Sequence, residues 1–317
     1  MRLLVTGCAG FIGSNFVHYI LEKYPDYEMV NLDALTYAGS LDNLEGAMDN
    51  TRHKFVRGRI EDGKLANELM DGVDVVINFA AESHVDRSIL EPQVFITTNV
   101  LGTQVLLDAA LKHKVGLFYQ ISTDEVYGAL ELDSTEKFTE ESPLRPNSPY
   151  SASKTSADLL VRAYHRTYDL PVVISRSSNN YGPRQHPEKF ITTVILNALR
   201  DKPVPIYGDG LYVRDWIHVV DHCRAIDTII HKGKIGETYN VAADSEWANI
   251  ELAREILRIM GKPEDLLQSV PDRPGHDRRY ATSAAKLREE TGWQPEESFD
   301  SGLKATIDHY CSKYGKS

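Results

Sequence analysis

Through the first half of the chain, apolar runs rich in β-branched residues alternate with segments of helical period. That alternation predicts a parallel sheet covered by helices on both faces. The runs predict strands at Arg2–Thr6, Glu28–Leu32, Lys54–Val56, Val73–Phe79, Leu117–Ser122 and Val172–Ser175. The segments between them predict helices at about Phe11–Lys23, Lys64–Met70, Asn99–His113 and Pro149–Tyr168, each long enough for a right-handed crossover. Past Tyr181 the texture changes to Pro- and Gly-punctuated pieces such as Tyr181-Gly182-Pro183, Pro203-Val204-Pro205 and Arg273-Pro274-Gly275, which predict a smaller lobe. Val219–Ile230 still reads as a helix and Glu237–Ala242 as a strand, so the chain is expected to return to the main sheet before finishing the lobe. The expected organisation is a doubly wound α/β domain over residues 1–180, rejoined by about 217–243, with 181–317 forming most of an interleaved second lobe. There is no internal repeat and no low-complexity tract.

Composition narrows the function classes. At 317 residues, 42% of them hydrophobic, the chain is long enough for one large core with a smaller lobe. A net charge of -11 without any local basic run argues against a nucleic-acid partner, so an anionic ligand must be met by a few placed cations. The apolar start is far shorter than a signal h-region, and no later run approaches the roughly 18 residues of a membrane span. A cytoplasmic protein with no membrane partner is expected. Cys8, Cys223 and Cys311 are scattered, with no CxxC pair and no His cluster at metal-ligand spacing, so neither a disulfide framework nor a metal site is expected.

Gly7-Cys8-Ala9-Gly10-Phe11-Ile12-Gly13 follows the first strand directly and opens a helix. In that context a glycine pattern is a dinucleotide-binding signal: it allows a tight turn, close approach of backbone to pyrophosphate, and free N–H groups at a helix start. Asp33, twenty residues beyond Gly13, ends the second strand where a carboxylate would accept hydrogen bonds from the adenosine ribose and repel a 2′-phosphate. NAD is expected over NADP.

Tyr150-Ser-Ala-Ser-Lys154 puts a phenol and an ammonium four apart on one helix face, with Ser148 as N-cap and Pro149 as first helical residue. The ammonium and an oxidised nicotinamide are expected to depress the phenol's pKa from about 10, making a base for a hydroxyl proton. Thr123 stands at the C-terminal end of its strand, where open α/β sheets place their chemistry, and Asp124 and Glu125 follow it as a carboxylate pair.

These stretches resemble the extended short-chain dehydrogenase/reductase family, and within it the dTDP-glucose 4,6-dehydratases. The resemblance runs over essentially the whole chain and is carried by Gly7–Gly13, Ser122–Gly128 and Tyr150–Lys154. More specific still are Ala80–Ser88, Asn179–Pro183 with Pro187-Glu188-Lys189, Arg214-Asp215-Trp216, and Asp272–Tyr280. It implies a Rossmann fold, NAD, a nucleotide-sugar substrate and a homodimer built from helices such as Asn99–His113 and Pro149–Tyr168.

The chemistry it implies begins with hydride leaving sugar C4 for NAD⁺ as Tyr150 removes the 4-hydroxyl proton, with Lys154 beside it. The resulting ketone acidifies the C5 hydrogen. Water is then lost across C5 and C6, with Glu125 as base and Asp124 as acid, before hydride returns to C6 and leaves a 4-keto-6-deoxy sugar. For Asp124 to stay protonated it needs burial or a neighbouring negative charge, and Glu125 supplies the second. By the same resemblance the cofactor shell comprises Gly7, Gly10, Phe11, Ile12, Gly13, Asp33, Ala34, Leu35, Thr36, Arg59, Ile60, Ala80, Ala81, Ser83, Thr98, Tyr150, Lys154 and Asn180. Lys189, Arg214 and Arg273 are expected on the diphosphate, with Phe190 near them and Asn249 and His276 as hydrogen-bond partners. His84, Thr123 and Asn179 are placed against the sugar, and Pro205, Ile206 and Tyr207 against the nucleobase.

The chain departs from the family pattern at several places. Gly58-Arg59-Ile60 stands where the family has Gly-Asp-Ile, so the carboxylate expected at the adenine amino group is missing. Arg184 replaces an aromatic, Ala242–Ala248 a glycine-rich approach to Asn249, and Ser283 an Asp. A UDP-sugar dehydratase and a 4-epimerase of the same fold are the competing readings. An epimerase needs no Asp124-Glu125 pair, and GDP-mannose-type dehydratases typically keep the Glu without the preceding Asp. A non-catalytic NAD sensor would have no use for both Tyr150 and Lys154.

Overall fold

The computed structural model describes residues 1–315. Its strands are β1 (Arg2–Thr6), β2 (Glu28–Asp33), β3 (His53–Arg57), β4 (Val75–Asn78), β5 (Leu117–Thr123), β6 (Val172–Ser177), β7 (Asn179–Tyr181), β8 (Val204–Tyr207), β9 (Val213–His218), β10 (Thr238–Val241), β11 (Glu246–Ala248) and β12 (Leu267–Val270). Seven of them form one parallel sheet in the order β10-β6-β5-β4-β1-β2-β3. The order reverses between β1 and β4, and at such a switch point the crossovers leave in opposite directions and open a crevice at the strands' C-terminal ends.

Near-continuous burial of β1, β4, β5 and β6 explains their unbroken apolar runs, because both faces are covered. Under helices Phe11–Lys23 and Val219–Lys232 lie Phe16, Val17, Ile20 and Ile226. Opposite, Leu106, Ala110 and Val161 belong to helices Thr103–His113 and Pro149–Tyr168. β10 does rejoin the main sheet beside β6, as expected from Glu237–Ala242.

The lobe is less like the sequence expectation. β7, β9 and β11 form a three-stranded sheet, β8 and β12 a parallel pair, and neither was expected. Helices Phe190–Leu199, Asn249–Met260 and Phe299–Tyr314 enclose a third core around Ile191, Ile195, Trp216, Leu252, Ile256 and Ile307. Strands of three or four residues carry too little periodicity to stand out from loop.

The expected helix Asn99–His113 starts earlier. Helical backbone runs from Pro92 to His113, with a wide π-type segment at Ile96–Gly102. By length and composition this run could cross a membrane, and half of its apolar window is buried within the fold.

Candidate active site

A cleft of about 330 Å³ opens at the switch point. The glycine loop forms one wall because no side chain fits there. Gly7 sits at φ +68°, and a Cβ on it would lie 2.7 Å from the Ala80 nitrogen. A Cβ on Gly13 would lie 2.3 Å from the Gly7 carbonyl oxygen. The loop therefore packs backbone on backbone against the end of β4 and leaves the start of helix Phe11–Lys23 facing the cleft.

Asp33 lines the cleft but also ties it together. Its Oδ2 accepts from the Ala9 N–H and its Oδ1 from the Leu35 N–H, both at 2.8 Å. Burial pushes its pKa up while these two N–H groups hold it down. Of the cofactor shell expected from sequence, Leu35 alone does not line the cleft: at φ +52° it packs against the sheet core instead. On another wall of the cleft, Arg59 lies 3.6 Å from Glu61, whose Oε1 accepts from Thr98 Oγ1 at 3.0 Å. Glu61 thus supplies a carboxylate two residues beyond the position where the family carries one. The sequence reading missed it.

Helix Pro149–Tyr168 is fixed at its start by a capping box. Ser148 Oγ accepts from the Ser151 N–H at 3.1 Å, and Ser151 Oγ accepts from the Ser148 N–H at 3.0 Å. This places Tyr150 and Lys154, both buried, on the cleft wall. Lys154 Nζ donates to the Ile121 carbonyl at 2.6 Å, and burial brings its pKa down to about 8 against the opposing pull of Asp158. Tyr150 departs from the expected depression. Burial and the nearby charge of Glu125 push its phenol up, and the Thr123 hydroxyl beside it offsets only part. Burial and the neighbouring carboxylates thus keep this phenol protonated in the protein alone.

Asn99, on the wide-turn segment, was also missed. Its Oδ1 accepts from the Glu82 N–H at 2.9 Å, while its Nδ2 donates to the Glu82 carbonyl at 3.0 Å and to Ser153 Oγ at 2.8 Å. It locks helix Pro149–Tyr168 to the loop after β4. π-type turns recur at functional sites because the extra residue re-aims a side chain. Nothing in the apolar pattern of Ile96–Gly102 signals it.

Thr123 ends β5, and the Asp124–Tyr127 turn begins there, with Thr123 Oγ1 accepting from the Glu125 N–H at 3.3 Å. The same hydroxyl donates to Asp124 Oδ1 at 3.3 Å, and Asp124 Oδ2 is buried without a partner. Burial, then the charges of Glu125 and Asp215, hold the Asp124 carboxyl well above the usual carboxylate range. Both causes anticipated for Asp124 are present, and Asp215 adds a third. Burial raises Glu125 as well, and its carboxyl stays above the ordinary carboxylate value although Arg273, Arg214 and Lys189 oppose the rise. The neighbouring carboxyls thus occupy opposite electrostatic surroundings: Asp124 is a buried acid, Glu125 a carboxylate ringed by cations.

Of the residues expected at substrate, Thr123, Asn179, Lys189 and Phe190 line the cleft. Lys189 Nζ donates to the Ser83 carbonyl at 3.0 Å. A neighbouring cluster holds most of the others. Arg273 pairs with Asp86 at 2.8 Å, and Tyr207 donates to the same carboxylate at 3.3 Å. His276 stacks on Tyr212 with centroids 3.7 Å apart, and burial brings its pKa down to about 4. Arg214 is buried against the Tyr280 ring and donates to the Asp277 carbonyl at 2.9 Å. Asn249 opens helix Asn249–Met260 with its Oδ1 buried and unpartnered. His84 caps helix Val85–Leu90 and lies 3.7 Å from Glu188, whose Oε1 is buried without a partner. Pro205 is half-buried, whereas the Ile206 side chain lies in the lobe core, away from any ligand. Among the described residues no group of three or more His, Cys, Asp or Glu could hold a metal ion.

A parallel sheet with a glycine-loop cleft, a buried Tyr–Lys pair and a carboxylate pair defines an extended short-chain dehydrogenase/reductase. The chain belongs to the GDP-mannose 4,6 dehydratase family, whose model matches residues 4–306. It is 53% identical over 310 residues to the low-salt glycan biosynthesis protein Agl12 of Haloferax volcanii, covering 98% of both chains. To a dTDP-glucose 4,6-dehydratase of Xanthomonas campestris it is 51% identical, covering 97% of this chain and 92% of the relative. It superposes on the crystal structure of DesIV, a dTDP-glucose 4,6-dehydratase from Streptomyces venezuelae with NAD bound, with a TM-score of 0.97 and 48% identity, covering 99% and 98% of the two chains.

Proposed function

We propose that this chain is an NAD-dependent nucleotide-sugar 4,6-dehydratase that converts dTDP-glucose to dTDP-4-keto-6-deoxyglucose and water. The adjacent carboxyls carry this reading. Asp124 is held protonated by burial and by Glu125 and Asp215, while Glu125 is kept available as a base by three cations. An elimination needs one group of each kind on neighbouring atoms, and an epimerase needs neither.

The glycine loop, Asp33, Arg59, Glu61 and Thr98 hold the dinucleotide, and the absence of room for a Cβ at Gly7 and Gly13 fits close approach of a pyrophosphate. NAD, when bound, supplies the two-electron chemistry, taking hydride from sugar C4 and returning it to C6. The protein's own groups raise the Tyr150 phenol, and the positive charge of a bound oxidised nicotinamide would lower it, so that the phenolate can accept the 4-hydroxyl proton while Thr123 donates to the same sugar oxygen as it becomes a ketone. Lys154 orders this edge through Ile121. Glu125 takes the C5 proton, acidified by the adjacent ketone, and Asp124 gives its proton to the departing 6-hydroxyl; as hydride adds to C6, Glu125 returns a proton to C5, exchanged with solvent in the meantime. Lys189, Arg214 and Arg273 meet the diphosphate, and Tyr207 lies where a base can stack.

Residues 1–180 with about 217–243 serve the dinucleotide, and most of 181–317 serves the nucleotide-sugar. Val94, Ile96 and Leu101 on the 92–113 run and Leu159 on the catalytic helix are exposed apolar residues, which supports a homodimer through these two helices. Buried free Cys8 and Cys223 suit a reducing compartment, the cytoplasm.

The test is incubation with dTDP-glucose, UDP-glucose and UDP-N-acetylglucosamine in turn, with mass spectrometry of the products. Loss of one water from dTDP-glucose alone is expected. An isomeric product without water loss would replace this reading by the epimerase.

A further inference from the structure

A second cavity of about 250 Å³ adjoins the cleft, with Ala38, Gly39, Gln185 and His186 lining both. In a chain of net charge -11 its lining is inverted: Arg184, Lys313, His186 and His309 face it against Asp42 alone. Arg184 is held at φ +71° just after Pro183, half-buried, in a position where the family carries an aromatic. Its NH1 donates to Asn15 Oδ1 at 3.1 Å, and among the described residues it makes no ion pair. His309 Nε2 is buried with no hydrogen-bond partner. Burial holds the Arg184 guanidinium below its usual range, and Arg184 and Lys313 together help to push His309 down.

Removing a guanidinium from water without a counter-charge is costly, and evenly scattered charge would have placed carboxylates here. We infer that this cavity is a second anion site, separate from the dinucleotide and nucleotide-sugar positions, that takes a phosphate group. The planar fork of Arg184 suits two phosphate oxygens at once. Lys313, in the last turn of helix Phe299–Tyr314, closes over the ion as a mobile point charge. Neutral His309 adds a donor from the same helix, one turn earlier. Tyr310 and Tyr314 stack face to face along this wall and present rings for the rest of a phosphorylated molecule.

The experiment uses the full chain saturated with NAD⁺ and thymidine diphosphate, so that the main cleft is filled, and titrates inorganic phosphate by calorimetry at fixed ionic strength. One site per chain is expected. Arg184→Gln should weaken phosphate binding about tenfold or more, in line with loss of a charge-assisted hydrogen bond. Lys313→Gln, at an exposed position that leaves folding intact, should weaken it severalfold, and Lys304→Gln on the outer face of the same helix should not. Absence of phosphate binding to the saturated protein, or equal affinity in wild type and Lys313→Gln, would overturn the inference. Because the cleft is already filled, neither outcome bears on which sugar the enzyme dehydrates.

Discussion

Tyr150 and Lys154 on one wall of the cleft and Asp124 and Glu125 on another are all shielded from water, yet their protonation is governed in different ways. The Tyr–Lys pair is local: one capped helix places both groups, and the strand-end carbonyl of Ile121 orients the ammonium. The carboxylate pair is adjacent in sequence and both members are raised by burial, but the lobe tells them apart: Asp215 adds to burial and Glu125 in raising Asp124, while Arg273, Arg214 and Lys189 oppose the rise of Glu125. In the proposed mechanism the first arrangement serves the oxidation and reduction of the sugar, and the second the loss of water between those steps.

If the two regions are separable, they should fail differently. Tyr150→Phe removes the proton acceptor for the first step, and turnover should fall by roughly 10²–10⁴-fold with NAD⁺ affinity unchanged in a fluorescence titration. Glu125→Gln should depress product formation over a similar range of about 10²–10⁴-fold while leaving C4 oxidation intact. Reduced cofactor should then build up on the enzyme, and its absorbance would show it; a variant that neither oxidises nor eliminates would mean the two regions act as one. Arg273→Gln, which frees Asp86 and removes a cation facing Glu125, should raise KM about 10–100-fold, with a smaller effect on kcat.

The same comparison predicts a trade of stability against function. Because Asp124's folded pKa lies above its unfolded value, the unfolded state gains by ionising it, and stability is lost as pH rises above the ordinary Asp value of about 3.9. Asp124→Asn should therefore raise Tm at pH 7, with the gain fading below about pH 4 where both forms are neutral, even as dehydration is lost. The smallest effect is at the helix cap: Ser148→Ala should cost about 1 kcal/mol in denaturant unfolding and leave the chemistry in place.

The contrast also explains what could be read from sequence. Gly7–Gly13, Asp33, Thr123 and Tyr150–Lys154 are local arrangements tied to a strand end or a helix start, and the pattern of β1 to β6 placed them. Glu61 and Asn99 were not legible, and Glu188 and Asp215 stood out only by resemblance and without a role, because each acts through a partner far along the chain: Thr98, Ser153, His84 and Asp124. The rise of the Tyr150 pKa escaped for a related reason. Spacing shows that Lys154 is on the same face, but not that Tyr150 is buried beside Glu125, which together raise it. In the lobe, strands of three or four residues gave no period to read, and Tyr207, Arg214 and Arg273 were placed by resemblance rather than by pattern.

The most direct test follows the hydrogen. With dTDP-glucose deuterated at both C4 and C5 and turnover in ordinary water, the expected product is one water lighter, carries the C4 deuterium at C6 and has lost the C5 deuterium to solvent. Deuterium remaining at C4 and C5 of an isomeric sugar would contradict the elimination and with it the role of Asp124 and Glu125.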